Sequence, residues 1–209
     1  LGFNISNKSL QQSQETVRKW PWKCSNTHEK MIFPPAIGIR IRMELAEIDK
    51  YDNLKNVVSI IHKWGIISIL NENIQVDKKF LRGLNWIKKL NGKYILFLLK
   101  DAEDLENACQ RFLINNSEKK ILEDYLNIKK ILKTNQDKYI NYSPSSWTEF
   151  IEERKLNDET VKLLISDGGI FWRNLFRWVF IYKYIKSKKD GETLKKEGWE
   201  PGKEMGKEI

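Results

Sequence analysis

Arg173, Arg177, Lys183 and Lys186 stand among Phe171, Trp172, Phe176, Trp178, Phe180, Tyr182 and Tyr184 in one segment near the end of the chain. Arg173 and Arg177 are four residues apart, so on a helix both guanidinium groups leave the same face and can bridge successive phosphates. The aromatic residues would supply the opposite, core-facing side. Lys186, Lys188 and Lys189 extend the charge, although they also suit a solvated helix end facing the negative pole of the helix dipole. Lys195 and Lys196 then lead into Gly198-Trp199-Glu200-Pro201-Gly202-Lys203-Glu204-Met205-Gly206. Gly198 and Gly202 permit a tight turn with exposed backbone N–H groups, and the residues after Pro201 can open a helix whose N-terminus faces an anion. The chemistry these residues fit is the holding of a polyanion.

Catalytic constellations are missing by comparison. Two-metal nucleotidyl transfer needs paired carboxylates on one strand face, typically D-x-D, beside a small turn for the triphosphate. Asp101, Glu103 and Asp104 are the nearest approach, and lying between helices they are better read as capping residues than as metal ligands. His28 lies in a polar loop with no third ligand in sight, and His62 falls within an amphipathic helix as a partly exposed structural residue. No G-x-S-x-G, P-loop or G-x-G-x-x-G pattern occurs. The sequence therefore yields no catalytic residues and no metal ligands, and points to a holder of polynucleotide rather than to a complete enzyme.

Composition agrees with that reading. Among 209 residues, 37 Lys and Arg against 28 Asp and Glu give a net charge of +9, which favours an anionic partner over a cationic one. Abundant Lys, Ile and Asn also fit a compositional bias with no binding role. Cys24 and Cys109 are far apart and lack C-x-x-C spacing, so neither a zinc knuckle nor a disulfide framework is indicated, and a reducing cytoplasm is the expected location. No apolar run approaches the roughly eighteen residues of a membrane-spanning helix, and no signal peptide is recognisable. A soluble protein without membrane contact is expected. The chain starts at Leu1 and stops at Ile209 where Met205-Gly206-Lys207 reads as a helix start, so both ends read as cut.

The elements that must position these residues read as helices throughout. A polar helix is expected from Ser9 to Trp20, ended by Pro21, and an irregular connection between Trp20-Pro21-Trp22 and Pro34-Pro35 follows. Ile37, Ile41, Leu45 and Ile48 share one face of a helix from Ile37 to Asp49. Asn53 is placed to cap a helix carrying Leu54, Val57, Val58, Ile61 and Trp64, which Gly65 ends, and Asp77 to open another that stops near Asn91-Gly92. Tyr94 to Leu99 fits a buried strand or a buried helix, and with no partner strand nearby helix is the choice. Leu105 to Leu113 and Ser117 to Leu132 follow, the second with Ser117 as cap and Lys120 where Glu would be ideal. Thr134 to Pro144 reads as a turn-rich boundary, before helices at Ser146 to Glu153, Asp158 to Ile165 and Ile170 to Lys186. The fold class is all-α, a multi-helix array.

Taken together, separated segments resemble the class II tRNA nucleotidyltransferase and bacterial poly(A) polymerase family, the CCA-adding enzymes. Leu1-Gly2-Phe3-Asn4-Ile5 is similar to the end of that family's neck helix. Arg40-Ile41-Arg42-Met43-Glu44-Leu45 is similar to its Arg-Ile-x-x-Glu-Leu motif, and Val58 to Leu70, with Trp64-Gly65-Ile66, to the stretch that follows. Gly198-Trp199-x-Pro201-Gly202-x-x-Met205-Gly206 is similar to the Gly-x-x-Pro-Gly-x-x-apolar-Gly element of the tail. Trp20-Pro21-Trp22 and the Pro34-Pro35 turn resemble cyanobacterial versions.

The resemblance implies a neck, body and tail in a helical sea-horse shape that grips the acceptor and T arms of tRNA. A catalytic head preceding this segment would add C, C and A with Mg²⁺, CTP and ATP, leaving this chain alone inactive and without a cofactor of its own. It implies further that residues 1–50 are the end of the neck, with Arg40, Arg42 and Glu44 in its motif, that 51–140 are the body, and that 141–209 are an RNA-binding tail. Two other functions stay open: a non-catalytic protein-interaction module with Trp20, Trp22 and Trp147 as exposed anchors, and part of a poly(A)-adding relative.

Overall fold

The computed structural model describes residues 5–19, 35–50, 54–71, 74–185 and 191–202. Among these the chain is all-α, with no strand. The helices are α1 (Asn7–Lys19), α2 (Pro35–Asp49), α3 (Leu54–Lys63), α4 (Ile67–Leu70), α5 (Lys78–Lys89), α6 (Tyr94–Leu99), α7 (Leu105–Arg111), α8 (Asn116–Thr134), α9 (Gln136–Ile140), α10 (Pro144–Glu153), α11 (Asp158–Asp167), α12 (Trp172–Phe180) and α13 (Gly191–Lys196), with a 3-10 turn at Tyr182–Tyr184. Trp20, Trp22, His28 and the cap expected at Asn53 lie outside the described residues. No described helix is long and apolar enough to cross a membrane.

Local chemistry explains most boundaries. Asp77 accepts the N–H of Phe80 at 2.7 Å and so starts α5. Gly65, at φ +76°, ends α3, with its N–H on the His62 carbonyl and that of Ile66 on the Ile61 carbonyl. Asn91, at φ +51°, closes α5 in the same way. The start of α8 differs from the sequence reading: the cap is Asn115, not Ser117. Asn115 Oδ1 accepts the Glu118 N–H while the Glu118 carboxylate reaches back to the Asn115 N–H, a reciprocal pair that Lys120 has no acceptor to form. Residues 134–144 are also more ordered than their polar composition suggests. They hold α9, and Ser143 with Pro144 at the first helical position starts α10 two residues earlier than expected.

The centre of the fold is α11, which packs on α5, α8 and α12. Val161, Leu163, Leu164, Ile165 and Ser166 are all buried, so this helix is enclosed on more than one side. Close approach of α5 depends on Gly83, where an added Cβ would sit 2.5 Å from the Ser166 carbonyl oxygen and 2.8 Å from Phe97 Cζ. An aromatic cluster of Tyr139, Tyr142, Trp147, Phe150 and Phe171, with neighbouring centroids 5.0–6.5 Å apart, joins α9, α10 and the start of α12. One cluster of buried hydrophobic residues takes members from Leu45 to Trp178.

Candidate nucleic-acid interface

The residues that would meet an anion divide by what already holds their charge. On α12, Leu175 and Trp178 are buried and Trp172 and Phe176 half-buried, the last two packed on Trp86 at centroid distances of 5.8 and 5.5 Å. Arg173 and Arg177 project from the other side, exposed, with no ion pair among the described residues. The Arg173 guanidinium lies 5.4 Å from the Trp172 ring centroid, which steadies it while leaving its N–H donors unused. The expected two-sided helix is therefore present, but it ends at Phe180 rather than Lys186. Val179, Phe180, Ile181 and Tyr182 are β-branched or aromatic and disfavour helix, and the backbone passes through φ −130°, ψ −63° at Ile181 into the 3-10 turn.

That early end separates Lys183 from the arginine face. Its Nζ pairs with Asp158 in the first turn of α11 and lies 5.6 Å from the Trp178 ring, so its charge is spent internally. Lys186, Lys188 and Lys189 lie outside the described residues, as do Lys203 and Gly206.

Lys195 and Lys196 are exposed in the last turn of α13, again with no ion pair among the described residues. Gly198 takes φ +94°, the left-handed conformation its lack of a Cβ allows. Its N–H bonds the Lys195 carbonyl, and the Trp199 N–H bonds the Leu194 carbonyl at 3.0 Å. These two donors thus close the helix, which corrects the expectation that they stand open for an anion. Trp199, Pro201 and Gly202 remain exposed beyond the turn.

The motif on α2 has a mainly positioning role. Arg40 and Glu44 pair at 2.6 Å along the exposed face of α2. Arg42 crosses to α8, placing Nη2 3.1 and 3.0 Å from the two Glu118 carboxylate oxygens and Nη1 2.6 Å from the Leu113 carbonyl. Lys93 Nζ also bonds Glu118, at 2.9 Å. Burial alone would raise the Glu118 carboxyl, but the Lys93 and Arg42 charges outweigh it and hold the group below its ordinary range.

A second charge cluster escaped the sequence reading. Lys100, its side chain only 8% exposed, bonds Asp167 at 2.9 Å and pairs with Asp101, while Lys129 bonds Asp101 at 2.9 Å, Asp167 at 3.1 Å and the Tyr125 hydroxyl at 2.8 Å. Burial pushes both carboxyls up, yet the two ammonium groups prevail and hold them low. Burial and then Asp167 and Asp101 push the Tyr125 phenol well up, so it stays a neutral donor or acceptor. Asp101 is thus an ion-pair residue, whereas Asp104 is the expected cap, accepting the Asn107 N–H at 2.9 Å. The hints in the sequence are local ones, the adjacent Lys100 and Asp101 and the one-turn spacing of Tyr125 and Lys129.

Beside this cluster opens a pocket of about 280 Å³ lined by Leu164, Phe171, Trp172 and Leu175, with Lys79, Lys129, Lys133 and Gln136 also on its walls. Trp147, expected as an exposed anchor, has no accessible surface, because Tyr139, Phe150 and Phe171 enclose it. Among the described residues no group of three or more His, Cys, Asp or Glu is placed to hold a metal ion. Comparison with protein-family models, curated proteins and solved structures returns no match in any of the three.

Proposed function

We propose that this chain is the RNA-holding neck-end, body and tail of a nucleotidyltransferase of the CCA-adding class, gripping the acceptor and T arms of tRNA through their phosphates. The observation that carries the reading is the partition of charge. Buried Lys100, the partly buried Arg42 and Lys129, and the exposed Arg40, Lys93 and Lys183 all have carboxylate partners, while the exposed Arg173, Arg177, Lys195 and Lys196 have none among the described residues. Uncompensated guanidinium groups one helical turn apart suit recognition of a phosphate backbone by shape rather than by base sequence. Arg42, bonding Glu118 on α8 and the Leu113 carbonyl in the turn before it, fits a neck motif that fixes one helix against the body. Mg²⁺, CTP and ATP belong in this proposal to a catalytic head, and no step through them is assigned to the residues described.

The test is titration with a tRNA lacking its terminal CCA, against an unstructured RNA of equal length as competitor. Preferential binding of tRNA is expected, together with no incorporation of labelled CTP or ATP by this chain alone; equal binding of the two RNAs, or incorporation, would falsify the proposal. A poly(A)-adding relative would bind RNA 3′ ends other than those of tRNA equally well.

One observation favours a second reading, a protein-interaction module. Phe180 at the end of α12 and Ile181, Tyr184 and Ile185 just beyond it are 51–68% exposed. Exposed apolar side chains concentrated in one short segment fit a protein partner, and absence of RNA binding with retention of a stable fold would favour it.

A further inference from the structure

The pocket beside the ion cluster has a character that phosphate gripping alone leaves unexplained. Its lining is mainly apolar and partly aromatic, with Leu164, Phe171, Trp172 and Leu175, and its one carboxylate, Asp167, is already neutralised by Lys100 and Lys129. Three lysines contribute to its walls, but they are not equivalent. Lys129 is committed to Asp101, Asp167 and Tyr125. Lys79 and Lys133, both exposed, make no ion pair among the described residues and so present net positive charge beside an apolar slot. Gln136 adds an amide able to donate and accept.

A ligand complementary to this arrangement has a flat apolar body, a polar edge and an adjoining anion. At about 280 Å³ the pocket lies near the lower limit of small-molecule sites, room for one ring system rather than a long acyl chain. We propose that it seats a single unstacked nucleobase, with Trp172 among the groups contacting the ring and the attached phosphate held by Lys79 and Lys133. A base stacks on aromatic side chains whatever its identity, so such a seat would hold one nucleotide of a bound RNA without reading sequence. This inference rests on the RNA-holding function and adds a second kind of contact to it, one that takes a base out of its stack.

The experiment follows the tryptophan indole N–H resonances of the whole chain by NMR during titration with AMP, ribose 5-phosphate or phenyl phosphate, beside a parallel tRNA titration. AMP is expected to shift the Trp172 signal, identified by its loss in W172F, and to bind at least fivefold more tightly than either control. K133E, a change at an exposed position, is expected to weaken AMP at least fivefold while the thermal midpoint holds; K79E serves as a second variant. Equal binding of ribose 5-phosphate would reduce the site to a phosphate patch, equal binding of phenyl phosphate would favour a phosphorylated aromatic side chain, and either result overturns the inference. Unchanged AMP affinity in both charge variants overturns it as well. If tRNA binds and AMP does not, the base pocket fails while RNA holding survives; if AMP binds at Trp172 and tRNA does not, RNA holding fails and the nucleotide seat stands.

Discussion

Two parts of this molecule carry similar residues to different ends. Around α6, α8 and α11, lysines and aspartates pair with one another, and Lys100 and Lys129 share Asp101 and Asp167 beside the Tyr125 ring, with Lys100 buried and Asp167 partly buried. On α12 and α13, arginines and lysines next to aromatic residues face outward without carboxylate partners among the described residues. The difference shows that cation content alone locates neither a binding face nor a core. What separates them is whether the charge is already neutralised. An interior pair resists change because removing one partner strands the other, whereas an exterior cation costs the fold little and stays available to a ligand.

Substitutions that break the inner half should unfold the chain without a specific effect on RNA. The largest effect is expected for W147A, which empties the centre of the aromatic cluster and should cost about 4 kcal/mol. Chemical denaturation measures it; a loss below about 1 kcal/mol would mean that the cluster is not a core element. D167N should follow at about 3 kcal/mol, because Lys100 and Lys129 lose a shared carboxylate in a buried setting.

This cluster and the separate Glu118 site with Arg42 and Lys93 set a pH dependence. The carboxyls of Asp101, Asp167 and Glu118 are held below their ordinary values in the folded chain, so their stabilisation is complete above the unfolded carboxylate pKa, about 4. It is lost as pH falls through the lower folded values. Lys129 is shifted upward because its two aspartates outweigh burial, so its contribution is complete below about 10.4 and is lost as pH rises through the folded value. The thermal midpoint should therefore fall steeply in acid, and less steeply in D167N than in the parent chain. Parallel acid profiles for the two would contradict the role assigned to Asp167.

Smaller effects sharpen the comparison. G83A forces a Cβ against the Ser166 carbonyl oxygen and Phe97, and separation of α5 from α11 should cost about 2 kcal/mol. G198A meets no neighbouring atom within 4 Å but must adopt φ +94°, so a loss of about 1 kcal/mol confined to α13 is expected, read by local hydrogen exchange. A global loss in G198A would tie the tail to the core more tightly than its exposed surface implies.

How much of this was legible in the sequence follows from the range of each interaction. Asp77, Gly65 and Asn91 act within a helical turn of where they stand, and the spacing located all three. Asn115 and Ser117 are both capping residue types, and spacing alone favours Ser117; the Glu118 side chain, which Asn115 alone is positioned to use, decides between them. The pattern carries α12 six residues past its end at Phe180, because an aromatic and basic run keeps a helical spacing that its β-branched members do not sustain. Long-range pairs were invisible: Lys100 and Asp167 are 67 residues apart, and nothing local marks either as the other's partner. Trp147 shows the same limit, since exposure depends on what closes over a ring. Of the outward cations, Arg173 and Arg177 were found because one helix presents both, whereas Lys79 and Lys133 come together only in the fold.

The most direct measurement of the central claim is the salt dependence of tRNA affinity for the parent chain and for R173E/R177E. The parent is expected to show a steep linear fall of log affinity with log salt, and the double variant a slope shallower by about 2 with its thermal midpoint unchanged. Equal slopes for the two proteins would contradict the assignment of the α12 face to the RNA backbone.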